Sequence, residues 1–196
     1  MNRVLAAASA AGLAGAAVGA YVGLVTGRLT VDLGVGRRVR PLGPLVVDIS
    51  APREAVFAAA AAPYAERAPR ALREKVQVLE RGEGMVLAAH HTPVGQRLTA
   101  VTVETVTMEP PVRMGFRLLR GPVPHVVETF DFAPTPDGTR LTYRGELGTD
   151  LGPAGQLWGN LVARSWEAAV RASFELIRAE AERRARPTTR PGHTAP

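Results

Sequence analysis

At 196 residues, 46% of them hydrophobic, the chain has room for one ordinary domain with a core and short extensions, and wholesale disorder is excluded. It contains no cysteine, which rules out disulfides, thiolate nucleophiles and Cys-based zinc sites and leaves the redox compartment open. The formal charge of +6 is almost wholly arginine, with Lys75 the only lysine. Clusters occur at Arg37, Arg38 and Arg40, at Arg67, Arg70 and Arg73, and from Arg183 to Arg190. No zinc-finger, RNP-like or recognition-helix pattern accompanies them, so the charge points to a solvated surface or to anionic lipid heads and not to nucleic acid.

From Val4 to Gly27 there is no charge, and a helix of that length spans about 36 Å, enough for a bilayer core. The segment predicts a single-pass membrane anchor over residues 1–28, contacting lipid through residues 4–27. A cleaved signal peptide with secretion is the alternative, because Ala6-Ala7-Ala8 offers an Ala-x-Ala triplet, although the apolar run is longer than a signal core. Gly15, Gly19, Gly23 and Gly27 recur every four residues, a spacing that suits close approach of two such helices. The same spacing also arises from an Ala- and Gly-rich composition. Arg28, Arg37, Arg38 and Arg40 outnumber the charges before the run, which places the following domain in the cytoplasm.

Residues 29–43 read as a Gly- and Arg-rich linker. Leu45 to Ile49 alternates as a half-buried strand, and Ser50-Ala51-Pro52 starts a helix that Pro63 stops. A short basic helix is expected from Tyr64 to Leu72. Lys75–Glu80 and Met85–His91 form a hairpin across Arg81-Gly82-Glu83-Gly84, followed by strands over Arg97–Met108, Val112–Leu119, His125–Phe132 and Thr139–Leu147. A long helix begins near Pro153, with Trp158, Leu161, Val162, Trp166, Val170, Phe174 and Ile177 at helical spacing. It fades by Arg186, and residues 187–196 read as a disordered tail. The order of elements predicts an α+β domain, a curved antiparallel sheet wrapped around the terminal helix, over residues 44–186.

The stretch Leu45-Val46-Val47-Asp48-Ile49-Ser50-Ala51-Pro52-Arg53-Glu54-Ala55-Val56-Phe57 resembles the opening of the START-like superfamily, which includes the Bet v 1-like and the polyketide cyclase/dehydrase and lipid-transport proteins. Glu109-Pro110-Pro111 before a strand, Phe130-Asp131-Phe132-Ala133-Pro134 followed by Gly138-Thr139-Arg140-Leu141-Thr142-Tyr143, and the Trp-bearing last helix extend the resemblance over residues 44–184. It implies a helix-grip fold and a hydrophobic cavity for a lipid, isoprenoid or polyketide-like molecule. Some relatives are cyclases or aromatases and others only bind or carry, so an enzymatic label is not inherited.

Several polar and aromatic residues are placed to line such a cavity. His90 and His91 are adjacent on a strand and point to opposite faces, so they cannot share one metal. Parity with Val86 and Ala88 turns His90 inward, and parity with Met85 and Leu87 turns His91 inward. His90 is the candidate because His91 abuts the turn at Thr92-Pro93. Glu128 shares its parity with Val126, Phe130 and Phe132, which puts a carboxylate on the apolar face, where it needs a partner or a raised pKa. Met114 and Phe116 lie on the inward face of their strand, Tyr143 on that of Leu141 and Leu147, and Trp158 and Trp166 on the terminal helix. No metal site, P-loop or nucleophile elbow is present, and Gly34-x-Gly36 is not a dinucleotide fingerprint, so no cofactor is expected. The residues support a membrane-anchored binding or carrier protein for an apolar or amphipathic molecule. A cyclase or dehydratase using Glu128 or a histidine as general acid/base is the alternative.

Overall fold

Alternating apolar residues and turns of two to four residues build a single antiparallel sheet. The computed structural model describes residues 15–186. A helix, α1, covers the described residues 15–25. It is followed by β1 (Arg38–Ile49), α2 (Arg53–Ala61), a 3-10 turn (Ala62–Tyr64), α3 (Arg70–Arg73), β2 (Val76–Gly82), β3 (Met85–Val94), β4 (Leu98–Glu109), β5 (Arg113–Arg120), β6 (His125–Thr135), β7 (Gly138–Thr149) and α4 (Gly152–Ala185). The sheet order is β1-β7-β6-β5-β4-β3-β2, so β2 to β7 form a meander and β1 joins its far edge. This is the expected helix-grip arrangement, with α4 crossing β1 and β7 and packing on α2.

The period-2 pattern decides which face is covered. Along β6, Val126, Glu128, Phe130 and Phe132 are buried and their neighbours are half-buried. On α4 the buried stripe runs through Val162, Val170, Phe174, Ile177 and Ala181, at the three- and four-residue steps of one helical face. Edge-to-face rings join the layers: Phe57 of α2 meets Phe132 at 5.3 Å, and Phe174 of α4 meets Phe130 at 5.3 Å. Leu161, which the spacing assigned to this face, is exposed instead.

Two segments differ from expectation. β1 begins at Arg38, inside the stretch expected as a linker, because Arg38 to Leu42 pair with Gly145 to Thr149 before a bulge between Leu42 and Leu45. The Gly43 N–H, which the bulge removes from the ladder, donates to Glu167 Oε1 of α4 at 3.0 Å. The basic helix expected from Tyr64 to Leu72 shrinks to the single turn α3, because Pro69 holds an extended ψ of 150° immediately before it.

The rest of the connector is also tied down. Asp150 accepts hydrogen bonds from Leu33 N, Gly34 N and Arg37 Nε at 2.5, 2.7 and 2.7 Å. Leu151 N and Gly152 N donate to Val35 O and Gly36 O. Leu151, at the start of α4, takes a left-handed φ of 68°.

Among the described residues, no helix is long and apolar enough to cross a membrane. The first part of the expected anchor, residues 4–14, and the expected disordered tail, residues 187–196, lie outside the described residues. The end of α1 is docked on the sheet. Because β5 stops at Arg120, opposite Val103, the Val101 N–H has no strand partner on that side and donates to Thr26 O at 3.1 Å. Gly27 turns the chain there at φ +69°, and a Cβ on it would stand 2.3 Å from Val101 O. Gly23 lies against Leu29 in the same turn, and only Gly15 and Gly19 of the four-residue series face open space. Two of the four glycines expected to pair helices are therefore engaged within the chain.

Candidate functional site

Inward parity on β3, β4, β6 and β7 collects a group of titratable side chains on the covered face of the sheet. Glu128 of β6 lies opposite Phe116 of β5 and Gly145 of β7. A Cβ at position 145 would stand 2.8 Å from Glu128 Cβ, so the glycine makes room for the carboxylate. Tyr143 Oη–H donates to Glu128 Oε2 at 2.8 Å, and Trp166 Nε1–H of α4 donates to the same oxygen at 2.7 Å. Among the described residues Oε1 receives no hydrogen bond.

Burial pushes the Glu128 carboxyl up to about 7, and the charge of Glu104 adds to the rise. The hydrogen bonds from Tyr143 and Trp166, and the charge of His90, pull partly the other way. Burial and the Glu128 charge both raise the Tyr143 pKa, so its hydroxyl remains a donor. An indole N–H can only donate. With both fixed donors on Oε2, the proton of the neutral acid sits on Oε1, which can then donate to a carbonyl or hydroxyl placed beside it.

A second centre lies on β3 and β4. Glu104 Oε2 stands 2.9 Å from His90 Nδ1, and His90 Nε2 is 3.1 Å from Tyr64 Oη. Tyr64 ends the 3-10 turn after α2 and places its ring over the imidazole, 5.9 Å between centroids. Burial works to lower the His90 pKa, but the charge of Glu104 and its hydrogen bond outweigh this and raise it. Burial likewise favours a neutral Glu104, yet the His90 charge and bond, with a bond from Thr102, bring it below the ordinary carboxylate range. The contact to Glu104 fixes the proton on Nδ1. Nε2 then donates to Tyr64 Oη when His90 is charged and accepts from it when neutral. The two centres sense each other through charge, since each carboxyl shifts its partner across the sheet.

The sequence-predicted residues separate into groups. Glu128, Tyr143 and Trp166 form one hydrogen-bonded unit. Phe116 and Phe130 stack beside it at 5.0 Å, and Met114 pairs with Phe130 across the ladder. Phe130 also meets Tyr143 and Phe174, so rings bridge sheet and α4 where the resemblance implied a cavity. His90 points inward but joins Tyr64 and Glu104 and not Glu128. Trp158 is not part of the group: its Nε1–H holds Pro122 O at 2.8 Å and its ring meets Tyr21 of α1.

Tyr64 and Glu104 were not singled out from sequence. Glu104 shares its strand parity with Thr102 and Val106, the argument that found Glu128, and would have been found by it. No group of three or more His, Asp or Glu placed to hold a metal ion occurs among the described residues.

A family model described as polyketide cyclase / dehydrase and lipid transport matches residues 45–182. Among solved structures, the Zhui aromatase/cyclase from Streptomyces sp. R1128 aligns at 22% identity with a TM-score of 0.59, over 78% of this chain and 98% of that one. The di-domain ARO/CYC BexL from the BE-7585A biosynthetic pathway aligns at 20% identity and a TM-score of 0.58, over 95% of this chain and 60% of its own. Ara h 8.0201 aligns at 11% identity and a TM-score of 0.57, over 76% and 99%. At these identities the likeness is one of fold. A search of the curated proteins finds no match.

Proposed function

The chain belongs to the polyketide cyclase/dehydrase and lipid transport family, and from that premise we propose that its domain binds an apolar or amphipathic small molecule between sheet and α4, held in place by Glu128. The observation that carries this reading is the unpartnered Oε1 of a buried carboxyl raised to about 7. Oε1 is not fully buried, so it can be reached, and a reachable oxygen on a carboxyl shifted in this way is a natural partner for a guest. The bridging rings must yield to admit it, and aromatic contacts that touch edge to face rearrange without breaking hydrogen bonds. The uncharged run that begins at Val4 tethers the domain to a bilayer, on the cytoplasmic side, from which such a molecule can be drawn, while its end from Val25 to Gly27 is docked on the sheet. The uncharged run and the exposed Val18 and Tyr21 on α1 support the tether.

The test is a titration of delipidated full-length protein with fatty-acyl, isoprenoid and aromatic polyketone probes. Saturable binding of a probe bearing a carbonyl or hydroxyl is expected. It should be largely kept in Glu128→Gln, whose amide has the donor and acceptor of the neutral acid, and weakened about 10-fold in Glu128→Leu, the size of one lost hydrogen bond. Absence of saturable binding by every probe overturns the reading. Loss of the tether would appear separately, as full release of the protein from membranes by alkaline carbonate.

A second reading is favoured by the pairing of two titratable centres. Neutral Glu128 is an acid and the His90–Glu104 pair can take up or give a proton, which suits a dehydrative ring closure. Turnover of a polyketone substrate that falls ~10²-fold or more in Glu128→Gln would establish it.

A further inference from the structure

Outside the covered face, the docking of α1 leaves an open recess of about 560 Å³, within the size range of small-ligand sites. Its walls come from three places: Val22 and Arg28 at the end of α1, His91 and Arg97 at the β3–β4 hairpin, and Arg120 at the end of β5. Those walls are joined rigidly, by the Val101 N–H to Thr26 O bond at 3.1 Å and by Thr30 Oγ1–H donating to Gly121 O at 2.6 Å. No carboxylate lines the recess, and none of the three arginines makes an ion pair among the described residues. Some arginines elsewhere on the surface are matched, such as Arg113 with Asp131 and Arg140 with Asp48; what sets this recess apart is that three unpaired arginines line it together with no carboxylate. Three converging, unmatched guanidiniums make an anion site, and their planar forks suit phosphate. Val22 and Leu98 give the same recess an apolar side.

We propose that this recess binds the phosphate head of an anionic amphiphile, with its chain lying along α1. The site is separate from Glu128 and His90. Only the source of the amphiphile, an adjacent bilayer, rests on the tether reading. His91, the neighbour that points away from His90, thereby acquires a role at the rim of this second site.

The test uses the full chain in a zwitterionic detergent and three soluble probes: dihexanoyl phosphatidate, dihexanoyl phosphatidylcholine and inorganic phosphate. Calorimetry measures affinity, and the His91 imidazole NMR signal locates binding. Wild-type protein is expected to bind the phosphatidate saturably, shift the His91 signal, and bind each of the other two at least 10-fold more weakly. Arg97→Gln with Arg120→Gln should weaken the phosphatidate at least 10-fold, while Arg97→Lys with Arg120→Lys should keep part of the affinity. Both positions are exposed, so the variants should melt like the wild type.

Equal binding by wild type and the double Gln variant overturns the site. Inorganic phosphate binding as tightly as the phosphatidate overturns the amphiphile and leaves a free-anion site. Glu128→Leu should leave this binding unchanged, so failure here and failure of the interior reading are told apart.

Discussion

Asp150 and Glu128 are carboxyl groups of nearly equal exposure, 3% and 7%, and they titrate in opposite directions. Asp150 is held by the Arg37 guanidinium and by the N–H groups of Gly34 and Leu33, which bring its carboxyl down to about 2. Glu128 has two neutral donors on one oxygen, a like charge at Glu104, and a pKa pushed up to about 7. Burial is the leading cause at Glu128, whereas at Asp150 the hydrogen bond from Arg37 outweighs it. The first arrangement fixes the connector to the start of α4. The second keeps a proton available in an apolar interior.

The largest effect expected from this contrast is in the pH dependence of stability. Because the Glu128 pKa is raised on folding, its contribution is complete below the ordinary value of 4.5 and is lost as pH rises through about 7, which amounts to about 3 kcal/mol. Thermal melts of the wild type should fall by roughly 6–12 °C between pH 5 and pH 8. His90, also raised, acts in the same direction. Glu128→Gln should remove most of the fall, and an unaltered fall would show that Glu128 does not carry that proton.

Asp150 has the opposite sign. Its lowered pKa contributes stability above the ordinary value of 3.8 that is lost as pH falls through about 2. Asp150→Asn should melt about 4–8 °C below the wild type at pH 7, through the weakened bonds to Arg37 and the connector. The gap should close in strong acid, and a gap that persists there would assign the loss to packing.

Tyr143→Phe removes one of the two donors on Oε2 and should cost about 1 kcal/mol. It should also move the Glu128 midpoint upward, read from the carboxyl carbon NMR signal, since the lost bond favours the charged form. A midpoint that stays or falls would deny the Tyr143 hydroxyl its hold on the charge. Smallest, Leu151→Gly should gain about 0.5–1 kcal/mol by relieving the left-handed backbone beside Asp150. A loss in that variant would mean that the exposed leucine side chain contributes more than the strain.

Much of the fold was legible because its elements are amphipathic over several residues. The alternation through Val126 to Phe132 and the stripe from Val162 to Ile177 declare which side is covered, and the START-like resemblance rests on those same stretches. The amino-terminal part of β1 was missed because Arg38 to Gly43 is basic, Pro- and Gly-bearing and broken by a bulge, so it shows no clean alternation. At the site, parity alone brought Glu128 and Tyr143 to the covered face; between His90 and His91 it allowed either, and the nearness of His91 to Thr92-Pro93 tipped the choice to His90. The bond from Trp166 depends on how α4 is seated, and the contact from Tyr64 on how the 3-10 turn crosses β3. No local pattern encodes either. Trp158 illustrates the converse: it keeps the helical spacing and packs against the core, but near the helix start its indole N–H meets Pro122 O and not the Glu128 group.

The pairing of β1 with β7 sets an order in time. Every other strand pair joins sequence neighbours through a short turn, so β2 to β7 can zip as successive hairpins, whereas Arg38 meets Thr149 across most of the domain. Closing so long a loop is slow compared with closing a turn. The edge that receives β1 does not exist until β7 has been made. The Asp150 clamp and the docking of Thr26 and Gly27 hold the segment on either side of that strand, so they too are late events. During synthesis the amino-terminal stretch therefore stays out of the domain's reach until the meander is nearly complete, and it is free in that interval to meet whatever surface it is destined for.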